Sequence, residues 1–327
     1  MKSLFKIAIV IVLILLSSCS NNTFPAISKD LPLLVSVNIK ENSISFIDLS
    51  SKKEIERWKM EKPYIGGVIL PDGDTLLLYG KENATVDLYS LSKGKLINQW
   101  ETGEGIVAAE VLKNGKEVAF ADQAQNAVRF FTLDGKERKR VRVSKNPLTI
   151  IEGTKERKLY VISFTQKDVT VIDLDKKSVS KHFPIHPSSA VGALLREDQD
   201  EIWIGGHGEG LQTEKNIYIY NVLTGKLLRT IPAPLMPVNF LKVDDFIYVL
   251  SHGTNTLYKI GPEGHIVKQI KVGANPFVME SFKKDLLIAG YDSNDIHIVD
   301  KDDLTIKETI KVGKGPFKLI LRESNGQ

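Results

Sequence analysis

The chain of 327 residues is poor in the groups from which most recognisable sites are built. It has one cysteine, so no intrachain disulfide is available and a zinc site of the usual multi-cysteine kind is excluded. No Cys-x-x-Cys-His run for haem attachment exists, and no H-E-x-x-H or H-x-x-E-H pair for a metalloprotease. Gly205-Gly206-His207-Gly208 has no following Gly-Lys-Ser/Thr and opens no helix, which excludes a phosphate loop. Helical periodicity is missing throughout. The chain also lacks an apolar run long enough for an ordinary membrane span. Net charge is +4 and falls to +2 without Lys2 and Lys6, far from a nucleic-acid footprint. The one basic run, Lys136 to Arg142, is expected on an outer strand, where charge suppresses edge pairing.

What is present is an internal repeat. The segments ending at Asp48, Ser90, Thr132, Asp173, Asn221, Gly261 and Asp300 are alike, with spacings of 42, 42, 41, 48, 40 and 39. A period near forty signals stacked or radial repeats. Each unit holds four short β-rich runs. The first is apolar, as in Leu159–Ser163 or Phe246–Leu250. The second is the alternating segment above, the third resembles Lys226–Ile231, and the fourth follows a turn, as in Gly273–Met279. Pro147, Pro187, Pro237, Pro276 and Pro316 are placed at the start of the fourth run, where no ladder donor is needed. Four antiparallel strands repeated radially make a β-propeller.

The chain enters on a first-type strand at Leu33 and ends on a fourth-type strand at Gly315–Leu321. The last strand is therefore expected to complete the sheet begun by the first three, leaving no open end to the ring. The fold class is all-β: a seven-bladed propeller of four-stranded blades over residues 33–324. Lys158–Ser163 with Val169–Asp173, and Phe246–Ser251 with Lys271–Pro276, resemble the YVTN-repeat (YncE-like) β-propellers. The resemblance spans about nine-tenths of the chain. It implies the fold and leaves the activity open, because propellers host many functions.

Residues 1–18 have the pattern of a lipoprotein signal peptide: Lys2 and Lys6 beside the apolar run Ile7–Leu16, then Leu16-Ser17-Ser18-Cys19, which resembles a bacterial lipobox. Lipidation at Cys19 is expected to hold the protein to a membrane outside the cytoplasm. Residues 19–32, polar and broken by Pro25 and Pro32, read as a tether that spans roughly 40 Å at most when extended.

Chemistry is expected in the funnel at one end of the channel, where two loop classes converge. The 48-residue spacing marks an insertion at Gly205–Glu214, rich in glycine and carrying His207 and Glu209. On alignment His207, His252 and Tyr291 fall at equivalent positions of three successive blades, and His186 lies on the same face one blade earlier. These five residues are the ligand-binding candidates. His207 and His252 with Glu209 would suit a divalent metal, or one imidazole would serve as general base, with Tyr291 as proton donor. The alternative is that exposed loops simply carry histidines. His182, His265 and His297 read as structural, and Asp48, Asp173 and Asp300 as turn formers. No cofactor is required by any motif. A binding or scaffold protein is expected first, taking a protein, peptide or small molecule in the funnel. A lactonase- or lyase-type enzyme is the alternative, and nucleic acid is not an expected partner.

Overall fold

A computed structural model describes residues 23–323. The expectations for the signal peptide and for Cys19 fall on residues outside the described ones. Seven four-stranded antiparallel sheets form the blades, so the chain is a seven-bladed β-propeller. Within each blade the strands are called a to d from the channel outward, a being the fourth-type run. The a strands of successive blades contact one another in a closed circle. They are Pro316–Arg322 in blade 1, Gly66–Ile69, Ile106–Val111, Pro147–Gly153, Ala190–Arg196, Pro237–Val243, and Pro276–Phe282 in blade 7. Among the described residues no helix is long and apolar enough to cross a membrane.

Closure follows the expected route. Blade 1 takes its a strand from the C-terminus: Pro316–Arg322 runs antiparallel to Leu33–Asn38, with Leu34 opposite Leu321 and Ser36 opposite Leu319. The two ends of the chain are thereby hydrogen-bonded into one sheet.

The inner strands are apolar without alternation because each blade is covered on both faces. Leu33, Val35 and Val37 pack toward blade 2, while Leu34 between them packs toward blade 7. Seven separate clusters result, one between each pair of neighbouring blades. Trp58 and Trp100, equivalent on their d strands, are buried in two of them. The d strands face solvent on one side; Lys53–Lys59 alternates exposed and half-buried. The basic run lies on such a strand, Glu137–Arg142, where Glu137 holds Arg129 and Arg140.

Each c–d turn contains one residue with positive φ: Lys52, Gly94, Gly135, Lys177, Gly225, Gly264 and Leu304. Each c–d pair, joined by four or five residues, also shifts register by one residue beside that turn, the mark of a bulge. The three blades that use a non-glycine there are those whose c strand ends in Asp48, Asp173 or Asp300. Each carboxylate accepts two backbone amides of the turn, for example Ser50 at 2.8 Å and Ser51 at 3.2 Å on Asp48.

Two expectations are corrected. Pro187 does not start a strand; the a strand of blade 5 begins at Ala190, after a turn in which Ser189 has φ 49°. The tether expected over 19–32 is not free from Thr23 onward. Phe24 N donates to Gly94 O at 2.6 Å and Ile27 N to Leu91 O at 2.8 Å. Phe24 stacks on Trp58, Trp58 Nε1 donates to Pro25 O at 3.1 Å, and Ile27 is buried between blades 1 and 2. Composition misled because the segment carries two apolar anchors, Phe24 and Ile27, in an otherwise polar stretch. From the blade 1 a strand, Arg322 donates to the carbonyls of Ser28 and Leu31, locking the segment in place.

Candidate functional site

The inserted segment folds as a small rim hairpin. Gly205 and Gly206 extend the b strand of blade 5, and Gly208–Glu209 pairs with Gln212–Thr213. Gly206 allows a close approach of the backbone, since a Cβ there would meet Ser189 O at 2.5 Å. At the hairpin tip Leu211 is fully exposed.

The structure brings together three of the five candidates. The rings of His207 and His252 lie 4.8 Å apart between centroids. Phe277 packs against His252 at 4.8 Å and Tyr291 at 5.6 Å, and Phe317 packs against Phe277 at 5.6 Å. Lys40 lies 4.2 Å from the Tyr291 ring centre and pairs with Asp292 at 2.6 Å. Blades 5, 6, 7 and 1 thus supply a continuous arc of rings along one side of the funnel. Rotational repetition is the cause: equivalent loop positions in successive blades converge at the axis.

The other two candidates are elsewhere. Glu209 is exposed, accepts from Ser188 Oγ at 3.1 Å and lies 3.7 Å from Lys167. His186 stacks on Tyr218 with Nδ1 2.9 Å from the Tyr220 hydroxyl, which anchors it to blade 5.

Asn275 Nδ2 donates to Asp292 at 3.1 Å, so its Oδ1 faces His252 Nδ1 as acceptor, at 2.5 Å. His252 Nε2 rests 2.9 Å from Met236 Sδ. Its Nδ1 is thus the donor, and its Nε2 lone pair lies against a thioether that has no hydrogen to donate. His207 Nε2 is buried without a partner among the described residues. Burial, and next the neighbouring His252, hold the His207 imidazole down at about 4, so it is neutral at pH 7. As a metal site the pair offers two imidazoles and no third ligand, with Glu209 turned away. Among the described residues, no group of three or more His, Cys, Asp or Glu side chains is placed to hold an ion. The donor set therefore does not fit the metal expected from sequence.

No protein-family model matches the chain, and no curated protein sequence matches it. Solved structures do. A functionally unknown protein from Desulfotomaculum acetoxidans is similar at TM-score 0.73 and 11% identity, over 90% of this chain and 100% of that one. Hydrazine synthase of Kuenenia stuttgartiensis is similar at TM-score 0.73 and 15% identity, over 88% and 99%. The dihydro-heme d1 dehydrogenase NirN, in a complex with DHE, gives TM-score 0.67 and 14% identity, over 90% and 76%. At these identities the likeness is one of fold.

Below the arc the channel opens into a cavity of 650 Å³ to which every blade contributes. Val107, Leu148, Val191, Val238, Phe277 and Phe317 make its wall largely apolar, and His207 sits at its rim. Two charged residues interrupt that wall, Glu110 of blade 3 and Lys318 of blade 1, and Glu280 of blade 7 joins them in the smaller cavity beyond; all three are on a strands. Sequence reasoning missed these, and Phe277 and Phe317 too. The signal was present in the twice-repeated Pro-Phe and in charges within strands that are otherwise apolar.

Proposed function

We propose that the protein is a lipid-anchored, extracytoplasmic binding propeller of the YVTN-repeat (YncE-like) kind, which receives an apolar ligand through its funnel. The observation that carries the binding role is the arc of His207, His252, Phe277, Tyr291 and Phe317 over a 650 Å³ apolar cavity. Concave, mostly apolar pockets with a few convergent polar groups are the usual form of small-molecule sites. The exposed Leu211 at the rim hairpin favours a partner that reaches the funnel edge as well. A His207 held near 4 is a weak base at neutral pH, which favours binding over proton transfer. The anchor reading is supported by the basic, apolar leader and by Cys19, the one cysteine, at the lipobox position.

Two experiments test this. In cells, the intact chain should sediment with membranes and Cys19→Ala should not; equal partition of both removes the anchor. For the funnel, residues 23–327 contain every blade strand and the docked N-terminal segment, so this fragment serves in solution. A neutral aromatic probe, 2-phenylethanol, should bind it and lose affinity in Phe277→Ala/Phe317→Ala. Absence of binding, or binding unchanged by that pair, removes the funnel as the site.

A further inference from the structure

Beneath the aromatic arc the channel narrows to a charged constriction. Glu110 and Lys318 line both the 650 Å³ cavity and a second one of 340 Å³ toward the opposite face, where Glu280 joins them. They therefore sit where the two cavities meet. Phe277 and Glu280 lie on the same strand, three residues apart, so their Cα atoms are about 10 Å apart along it.

These charges are poorly partnered. Lys318 and Glu280 make no hydrogen bond or ion pair among the described residues, and Glu110 makes no ion pair there. Glu110 Oε1 accepts one long bond, from Glu152 N at 3.3 Å, and its Oε2 is sealed from solvent with no partner. Around Glu110 stand Glu152, whose Oε2 accepts from Lys113 N at 2.6 Å, then Lys113 itself and Lys318. Glu280 faces Lys318. Three carboxyls, Glu110, Glu152 and Glu280, thus stand against two ammoniums, Lys113 and Lys318, in one channel. Burial above all, and then the Glu152 charge, raise Glu110 to about 7, and burial raises Glu280. Half-buried carboxylates in excess over their counterions are costly, and with all groups ionised the arrangement lacks one positive charge. An anion would add a further negative charge to the site, and a neutral molecule would leave the deficit.

We propose that this constriction binds the ammonium group of a primary amine, between Glu110 and Glu280, while the amine's apolar body lies against Phe277 and Phe317. The inference rests on the funnel reading above and adds the ligand's chemical class. Glu110 must be ionised for the pairing. With its carboxyl at about 7, affinity should fall about tenfold between pH 8 and pH 6. His207, near 4, does not titrate in that window.

The test uses the 23–327 fragment with three probes of one shape: 2-phenylethylamine, 2-phenylethanol and 3-phenylpropionate. Calorimetry at pH 8 should give the order amine, alcohol, carboxylate, with the amine at least tenfold tighter than the alcohol. Glu110→Gln should erase that preference, bringing the amine to the affinity the same variant shows for the alcohol. Lys318→Met, which removes the competing cation, should tighten amine binding, an outcome that loss of folding cannot imitate. If the alcohol binds as well as the amine, or the carboxylate binds best, the amine assignment fails while the funnel site stands. An amine preference unchanged in Glu110→Gln overturns the assignment as well. If none of the three binds, funnel site and amine assignment fail together.

Discussion

His207 and His252 hold their rings 4.8 Å apart across the boundary between blades 5 and 6, yet only His252 is anchored by a hydrogen bond, from Nδ1 to Asn275. The half-buried His207, its Nε2 sealed without a partner among the described residues, is held near 4 against an ordinary value of 6.5. Between those values the unfolded chain takes up a proton at this position and the folded protein does not. Stability therefore falls as pH drops from about 6.5 to about 4. The ring is only partly buried, so the loss from this group should be about 1–2 kcal/mol rather than the full linkage value. Urea midpoints at pH 7.5 and 4.5 for wild type and His207→Phe should show a smaller acid loss in the variant. Equal losses would place the depressed value elsewhere.

The docked N-terminal segment should contribute to folding. Phe24 lies on Trp58 with centroids 4.8 Å apart and planes 15° from parallel. Phe24→Ala is expected to cost about 1–3 kcal/mol, below the cost of a fully buried phenylalanine. Gly94→Ala should act in the same direction, because φ there is 58° and a Cβ would meet Phe24 O at 1.9 Å. Thermal melts followed by tryptophan emission report both. A fragment beginning at residue 33 that melts with the longer one would show the segment to be passive.

Arg129 carries a buried charge network in blade 3. It donates to Asp122 at 3.1 Å, to Glu137 at 2.6 Å and to the Thr102 carbonyl. Asp122 is wholly buried. Arg129→Met should cost about 3–5 kcal/mol, since it strands that carboxylate. Arg129→Met combined with Asp122→Asn should recover part of the loss. A double variant as unstable as the single one would assign the cost to lost packing.

The turn after Asp48 offers a test in both directions. Lys52 has φ 55°, and Asp48 accepts from Ser50 N, Ser51 N and Ser51 Oγ. Lys52→Gly should stabilise by roughly 0.5–1 kcal/mol by relieving the left-handed conformation. Asp48→Ala should destabilise by about 1–2 kcal/mol, the cost of leaving turn amides without their acceptor. Denaturant melts of the two single variants decide the matter, and a loss on Lys52→Gly would count against it.

The repeat, the blade number and the closure by the C-terminal strand were all legible in the chain itself. A period of about forty residues with four apolar runs admits few arrangements, and strand type at each end states how the ring must close. Turn aspartates and d-strand tryptophans were equally local, because their partners lie within a few residues or in the equivalent place of the next repeat. The approach of His207 to His252 could be anticipated for the same reason. What sequence could not decide was side-chain direction at the axis. Glu209 shares the inserted segment with His207 but pairs with Ser188 and Lys167, because a two-residue hairpin turns its carboxylate outward. Glu110, Glu280 and Lys318 lie in three different repeats and meet only when the ring is closed. The docking of Phe24 and Ile27 likewise needs the groove between blades 1 and 2, a surface that exists only once both blades have folded. Local chemistry fixed the strands and their order; the site is a property of the axis, where residues distant in sequence line one shared channel.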